Sequence, residues 1–331
     1  MIKLAIRTIT ISLILLSGQQ AAIAWDSVGH RVTAAVALEY PSDETQGKLL
    51  DILAAHPRFE ADFIQQMPVR VRNSAEDVRI RWLLGQAAYW PDIARGLPEA
   101  AAQRYNRPAW HYIDGAWVRG AAAYQGNTYI GIEPFADFPG ALASNIASES
   151  SIGNIMTALD FNTQKLIDTE TPIEERAVAL CWVLHLIGDI HQPLHTGSLF
   201  SAHILADGDR GGNAIATDSG NLHADWDRAI SADGLTVSLT AILETQTGFT
   251  RPRIQGVESD WSEWMTESRQ LLQFVYTPAI KSAIASADAA QSALPPINLD
   301  ADYRDQMQRI ALQRIGLAGV RLAIWFENEG F

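Results

Sequence analysis

The sequence predicts an all-α fold: one mostly helical domain joined by long loops. Three observations carry this. Apolar residues make up 47% of the chain, enough for a sizeable core. Strand-like alternation is scarce, whereas apolar residues recur at helical spacing in several long stretches. No internal repeat and no low-complexity tract interrupts the pattern.

The first 24 residues are read separately. Lys3 and Arg7 precede an apolar run from Ile9 to Leu16, and Ala22-Ile23-Ala24 supplies an A-x-A cleavage signature. That run is too short to span a bilayer comfortably. Residues 1–24 are therefore expected to be a cleaved signal peptide. The mature domain, 25–331, would then be secreted or periplasmic and begin at Trp25, with no stable membrane association.

In the remainder, Val32 to Tyr40 is Ala-rich with helical apolar spacing. Glu175 to Ile190 reads as a long apolar helix. Met307 to Phe326 places apolar residues at mixed helical spacings, which predicts a helix buried on most sides. Pro/Gly-rich or polar connectors fall near 115–140, 200–221 and 286–302, and none shifts composition enough to mark a domain boundary. Cys181, the single cysteine, sits in an apolar run and reads as a buried small hydrophobe, so no internal disulfide is available.

Formal net charge is −13 and becomes −15 once Lys3 and Arg7 leave with the leader. This excludes holding a polyanion by a broad basic surface. Attraction to such a substrate must be local, and bound metal ions would supply it.

The chemistry concentrates in a few segments. His185 and Asp189 are four apart, so a helix places them on one face. Pro193 ends that helix, leaving His195 on the chain just beyond, free to turn back toward the same cavity. His223 and Asp227 form a second pair at the same spacing. These five ligands exceed the four that saturate one zinc, which points to a multinuclear site. Upstream lie His30, five residues after Trp25, then Asp92 and Arg95 three apart, and His111, Tyr112 and Asp114 in one short run. A freed Trp25 amine and its carbonyl could chelate a metal as a five-membered ring. Taken singly, each element has a plainer reading: His and Asp make simple hydrogen bonds, Arg95 pairs with Asp92, Tyr112 packs in the core. His191, His56 and His203 have no evident ligand partners.

Together the segments WDSVGH, WPDIAR, WHYID, HLIGDIHQPLH, GDRGGN, NLHADWD and GLAGVRLAIWF resemble the S1/P1 nuclease family of trinuclear zinc enzymes, across most of the mature chain. The resemblance implies a mostly helical fold of the phospholipase C/P1 nuclease type holding three Zn2+ per chain. By motif, Asp92, His111, His185 and Asp189 would hold one zinc. Trp25 and His30 would hold another, with Asp189 bridging. His195, His223 and Asp227 would hold the third. Asp92 and Arg95 would be the catalytic pair, Arg95 as an added cation at the transition state. Tyr112 and Asp114 would grip a nucleobase, with Gly212 and Asn213 as the opposite wall. The implied activity is endonucleolytic cleavage of single-stranded DNA or RNA to 5′-phosphorylated products, with 3′-nucleotidase activity alongside, by a monomer. Two other functions are weighed. A zinc-dependent phospholipase C shares the His-Asp-His spacing, but those enzymes end the last pair in Glu where this chain has Asp227, and place the first His farther from the terminal Trp. A non-catalytic zinc protein would favour Cys ligands, which are missing here. Fungal and plant members of the family use disulfides; this chain has none to form.

Overall fold

The computed structural model describes residues 25–113, 127–132, 152–245 and 260–331. The expected leader, Asp114 and most of the 115–140 connector lie outside them. The fold is helical, as expected: α1 (Ser27–Ala37), α2 (Asp43–Ala54), α3 (Val69–Arg72), α4 (Glu76–Ile93), α5 (Glu99–Tyr105), α6 (Ile155–Ile167), α7 (Ile173–Asp189), α8 (Leu222–Asp227), α9 (Gly234–Thr245), α10 (Trp261–Gln270), α11 (Leu272–Val275), α12 (Pro278–Ala289) and α13 (Ala301–Asn328). Among the described residues, strands form only two small pairs. β1 (Thr128–Ile130) runs parallel to β2 (Leu199–Ser201), and β3 (Ala216–Thr217) is antiparallel to β4 (Gly220–Asn221).

The helix ends follow local chemistry. Asp26 caps α1, its carboxylate accepting from the Val28 and Gly29 amides at 2.9 and 3.2 Å. Asn154 and Thr157 close a reciprocal capping box at the start of α6. Pro172 precedes α7, and Glu174 and Glu175 in its first turn complement the positive end of the helix dipole. Asp300 caps α13 by accepting from the Tyr303 amide.

α7 is the central element. From Ala179 to Asp189 every residue is buried, which is why its sequence lacks a polar stripe. α2, α4, α6 and α13 pack around it, sealing the largest apolar cluster with Trp90, Trp110, Trp182, Trp264 and Trp325. A second cluster joins Leu194, Leu199 and Trp226 to α11, α12 and the first turns of α13. A third packs Trp25 and α1 against α9 and α13. Cys181 is fully buried in the first, where burial pushes its thiol pKa well up. That environment suits packing and not nucleophilic chemistry.

Candidate metal centre

Polar residues enter this apolar interior from six elements. α1 supplies His30, and the last turn of α4 supplies Asp92. The 3-10 turn Pro108–His111 supplies His111, and α7 supplies His185 and Asp189. The 3-10 turn Pro193–His195 supplies His195, and α8 supplies His223 and Asp227. α7 stops at Asp189, with Pro193 four residues on, so the chain folds back and delivers His195 to the cavity.

The ligand atoms fall into three buried groups, each with its atoms within 4.8 Å of one another: His30, Asp92 and His185; His111, His185 and Asp189; and His195, His223 and Asp227. The first two share His185 and are fused further by Asp189. The Asp189 carboxylate stands 3.4 Å from His30 Nε2, and 3.1 Å from both His111 Nδ1 and His185 Nε2. The His30 and His185 rings stack with centroids 3.9 Å apart. In the third group, His223 Nε2 is 3.4 Å from Asp227 Oδ2 and the His195 and His223 rings lie 4.9 Å apart.

Backbone carbonyls fix which ring nitrogen faces the cavity. His185 Nδ1–H donates to Ala88 O at 2.7 Å, His195 to His111 O at 2.6 Å, and His223 to Gly211 O at 2.6 Å. Each ring then presents an unprotonated Nε2, the tautomer a metal requires. Gln192 does the same for a carboxylate. Its amide donates to Asp227 Oδ1 at 2.8 Å while its oxygen accepts from the Leu194 amide at 2.5 Å, leaving Asp227 Oδ2 open. Two glycines make room. A Cβ at Gly188 would come within 3.1 Å of His30 Nδ1. Gly211 has φ +59°, and a Cβ there would stand 2.2 Å from Leu194 O. Gln192, Gly188 and Gly211 were not singled out by sequence reasoning. Their only signal is their place inside the HLIGDIHQPLH and GDRGGN segments.

Electrostatics at the centre follow burial. Burial, aided by the nearby His185, pulls the His30 pKa down to about 4. Burial pulls His111 down to about 3. Burial also works to lower His185, but the Asp189 and Asp92 charges outweigh it and raise it. Burial works to raise Asp189, yet its histidine neighbours hold it well below the usual carboxylate range. Burial drives Asp227 well above that range.

The other expected residues are placed as follows. Arg95 Nη2 lies 2.8 Å from Asp92 Oδ1, so the ion pair is formed. Tyr112 directly follows His111, is partly buried, and anchors the turn by accepting the Ile155 amide on its carbonyl. Asp114 lies outside the described residues. Gly212 is buried and Asn213 partly exposed, in a loop whose Arg210, Gly211 and Gly212 all have positive φ. That loop is held by Asp209, which accepts from the Leu199 amide and the Tyr276 hydroxyl, and its evident task is to aim Gly211 O at His223. His56 packs against Trp90 and Phe63, and His203 is exposed.

The family model for S1/P1 Nuclease matches residues 25–329. The chain belongs to the S1/P1 nuclease family. It is 28% identical to Nuclease S1 of Aspergillus oryzae over 190 residues, 54% of this chain and 62% of that enzyme. It is 34% identical to Endonuclease 4 of Arabidopsis thaliana over 160 residues, 44% of this chain and 48% of the relative. Nuclease P1 of Penicillium citrinum is 27% identical over 201 residues, 54% of this chain and 67% of the relative. The matched stretches thus span about half to two thirds of those enzymes.

S1/P1 nucleases are zinc-dependent phosphodiester hydrolases, and the donor set here fits zinc. His30 Nε2, Asp92 Oδ2, His111 Nε2, Asp189 Oδ1, His195 Nε2 and Asp227 Oδ2 are buried without a hydrogen-bond partner. Such atoms are costly unless something binds them. Imidazole nitrogen and carboxylate oxygen are the zinc ligands of open, catalytic sites. Among the described residues, no helix is long and apolar enough to cross a membrane.

Proposed function

We propose that this protein is an exported endonuclease that hydrolyses phosphodiester bonds of single-stranded DNA and RNA to 5′-phosphorylated products, and removes 3′-phosphates from nucleotides, with three zinc ions per chain. The carrying observation is the convergence of three His/Asp groups whose buried atoms lack partners, two of them fused through His185 and Asp189. One structural ion would need four ligands; this set offers more, with carboxylates that leave coordination open.

In this reading the zinc ligands are Asp92, His111, His185 and Asp189; Trp25 and His30, with Asp189 shared; and His195, His223 and Asp227. Trp25 would take part through the amine and carbonyl freed when residues 1–24 are removed. When bound, zinc supplies Lewis-acid polarisation of the phosphoryl oxygens and acidification of water. The protein supplies the positioning. Backbone-locked His185, His195 and His223 hold their Nε2 atoms toward the cavity and need no reorganisation as charge develops. Arg95, already against Asp92, would add a cation at the transition state. Tyr112 stacks on a base and Asp114 accepts from its edge, with Gly212 and Asn213 opposite. Stacking needs an unpaired base, hence single strands. A chain of net charge −13 attracts a polyanion only where metal charge offsets its own. The mature 25–331 domain acts as a monomer in the periplasm or outside the cell.

The test is hydrolysis of single- against double-stranded DNA by protein starting at Trp25, with and without a chelator. Fast, chelator-sensitive cleavage of the single strand supports the proposal. Full zinc content with no cleavage of either, and hydrolysis of phospholipid vesicles instead, overturns it.

A further inference from the structure

The last turn of α4 carries Asp92, yet its own ladder is short of a bond. Pro91 has no amide proton, so the Ala87 carbonyl loses the partner it would find at that position. The turn is held from outside instead. Beside it lies a π-turn, Phe59–Ile64, in which the chain widens until the Gln65 amide reaches back five residues to Glu60 O at 2.9 Å. Such turns are rare and gather at functional sites. This one carries Asp62, which is 6% exposed and accepts two bonds from Arg58, at 2.6 and 2.8 Å.

Gln86 and Trp90 are four apart on α4, and both donate to Asp62. Trp90 Nε1–H reaches Asp62 Oδ2 at 2.9 Å, and the Gln86 amide nitrogen reaches Asp62 O at 2.8 Å. Both side chains are buried, so water does not replace these bonds once they are lost. Gln86 extends the chain further. Its oxygen accepts from Arg31 Nη2, and the Arg31 guanidinium lies over the Trp82 and Tyr89 rings of α4 at 5.7 and 5.8 Å. Asp62 therefore stands behind each ligand of one metal group. Trp90 is two residues before Asp92. Ala88, midway between the gripped positions, accepts from His185 Nδ1–H at 2.7 Å. Arg31 follows His30 on α1. His30, Asp92 and His185 form one of the three groups, and His185 links it to the second. None of these bonds involves His195, His223 or Asp227.

We infer that Asp62 is a positioning residue for zinc: by gripping α4 at Gln86 and Trp90, it sets the Asp92 carboxylate, the Ala88 carbonyl behind His185 and, through Arg31, the seat of His30. It acts only through these residues. Ligands from three helices must meet within about 0.5 Å of their working geometry, and a turn short of one ladder bond does not secure that alone. The charge of Asp62 is matched by Arg58; the oxygen facing Trp90 and the backbone carbonyl do the holding. The inference rests on zinc being held at the fused groups.

The test is stepwise competition of zinc-loaded variants with a chelator of known affinity, with a denaturant midpoint measured for each. Combination with His223→Ala, which breaks the separate group, assigns the weakened class of site. Trp90→Phe and Gln86→Leu should each weaken zinc in the fused groups about tenfold, the lower end of the loss seen when support behind a metal ligand is removed. The His195/His223/Asp227 group should stay at the parent level. Asp62→Asn keeps an oxygen facing Trp90 and the backbone carbonyl, so it should retain parent affinity. Asp62→Leu should fall with Trp90→Phe, and the double variant should fall no further, since both remove one bond. Phe63→Leu, a core change on the same π-turn, should lower the denaturant midpoint and leave zinc affinity alone. Zinc affinity that follows the midpoint across all variants, Phe63→Leu included, overturns the inference. So does equal weakening of every class of site, or unchanged affinity in both Trp90→Phe and Gln86→Leu. A parent protein that binds zinc and cuts no strand would overturn the nuclease reading alone.

Discussion

His185 and His191 stand on one stretch of chain, both fully buried, yet they end in opposite situations. His185 faces the cavity where atoms of His30, Asp92, His111, Asp189, His195 and Asp227 are buried without a hydrogen-bond partner. His191 points into a network in which every group is matched. Its Nδ1–H donates to Ile187 O, and its Nε2 accepts from Arg321 at 2.9 Å. Arg321 pairs with both Glu267 oxygens at 2.7 Å and lies over Trp264. Arg314 binds Glu267, Ser268 Oγ and the His191 carbonyl. Burial and the two arginines keep the His191 pKa well below its usual value, so the ring stays neutral there. Residue type does not separate a metal centre from a structural network. Unsatisfied atoms gathered from several ligand residues around one cavity do.

The largest test of that contrast is Asp189→Asn. The change keeps size but removes the charge shared by three histidines, so bound zinc should fall and hydrolysis should drop by about 10²–10³-fold or more. His191→Gln should leave both near the parent level. Zinc per chain by atomic emission, beside the rate on single-stranded DNA, decides it. Equal losses in the two variants would erase the distinction. The converse comes from Glu267→Gln. It strips the counter-charge from two arginines, one of them 7% exposed, while Glu267 itself is partly solvated. We expect about 2 kcal/mol of lost stability, at the low end for breaking a buried pair because of that exposure. Zinc content should not change. A denaturant midpoint that stays put would show the network to be dispensable.

The sequence reached these two regions unequally. The His185/Asp189 and His223/Asp227 pairs were legible because i, i+4 spacing puts both members on one face whatever the tertiary context. The grouping of His30 with Asp92 and His185 was not, since it depends on how α1 and α4 cross α7. The His191 network was hidden for the same reason: Arg314 and Arg321 lie 123 and 130 residues away along the chain. Helix boundaries show a parallel split. Apolar patterning located α7 within two residues of Ile173–Asp189, but it began α13 at Met307, whereas the Asp300 cap starts the helix at Ala301. The first turns of α13 are largely solvated, so they carry no apolar signal. The apolar spacing begins only at Val32, whereas the Asp26 cap starts α1 at Ser27. α4 is hard to see in the sequence because Pro91, inside its last turn, removes a helix donor and reads as a breaker.

A finer probe lies between the two regions. Gln192 is saturated like the network yet serves the centre by orienting Asp227. Gln192→Leu should weaken zinc at the His195/His223/Asp227 group by about 10–100-fold, the usual cost of losing a partner behind a metal ligand. The fused groups around Asp189 should keep their zinc. Stepwise competition with a chelator of known affinity would resolve one weakened class of site; uniform weakening of all sites would mean that the groups do not act separately.

The smallest effect concerns a buried histidine in neither region. His56 accepts the Arg58 amide on Nδ1 and packs against Trp90, and burial lowers its pKa to about 3 from an ordinary 6.5. Between those values the unfolded chain carries a proton on His56 that the folded chain refuses. Folding stability from this group is therefore complete above pH 6.5 and declines as pH falls toward 3, by at most about 1.4 kcal/mol per pH unit. His30 and His111, lowered to about 4 and 3, act in the same direction once zinc is stripped. In the zinc-loaded protein, protonating either one also requires giving up metal. His56→Phe should accordingly flatten the acid limb of the stability curve by one proton, equally in loaded and stripped protein. Stripping zinc should change the limb through His30 and His111 whether or not His56 is present. Urea midpoints from pH 7 to pH 4 for the four combinations separate the contributions. An acid limb unaltered by His56→Phe would mean that this ring reaches its proton without unfolding.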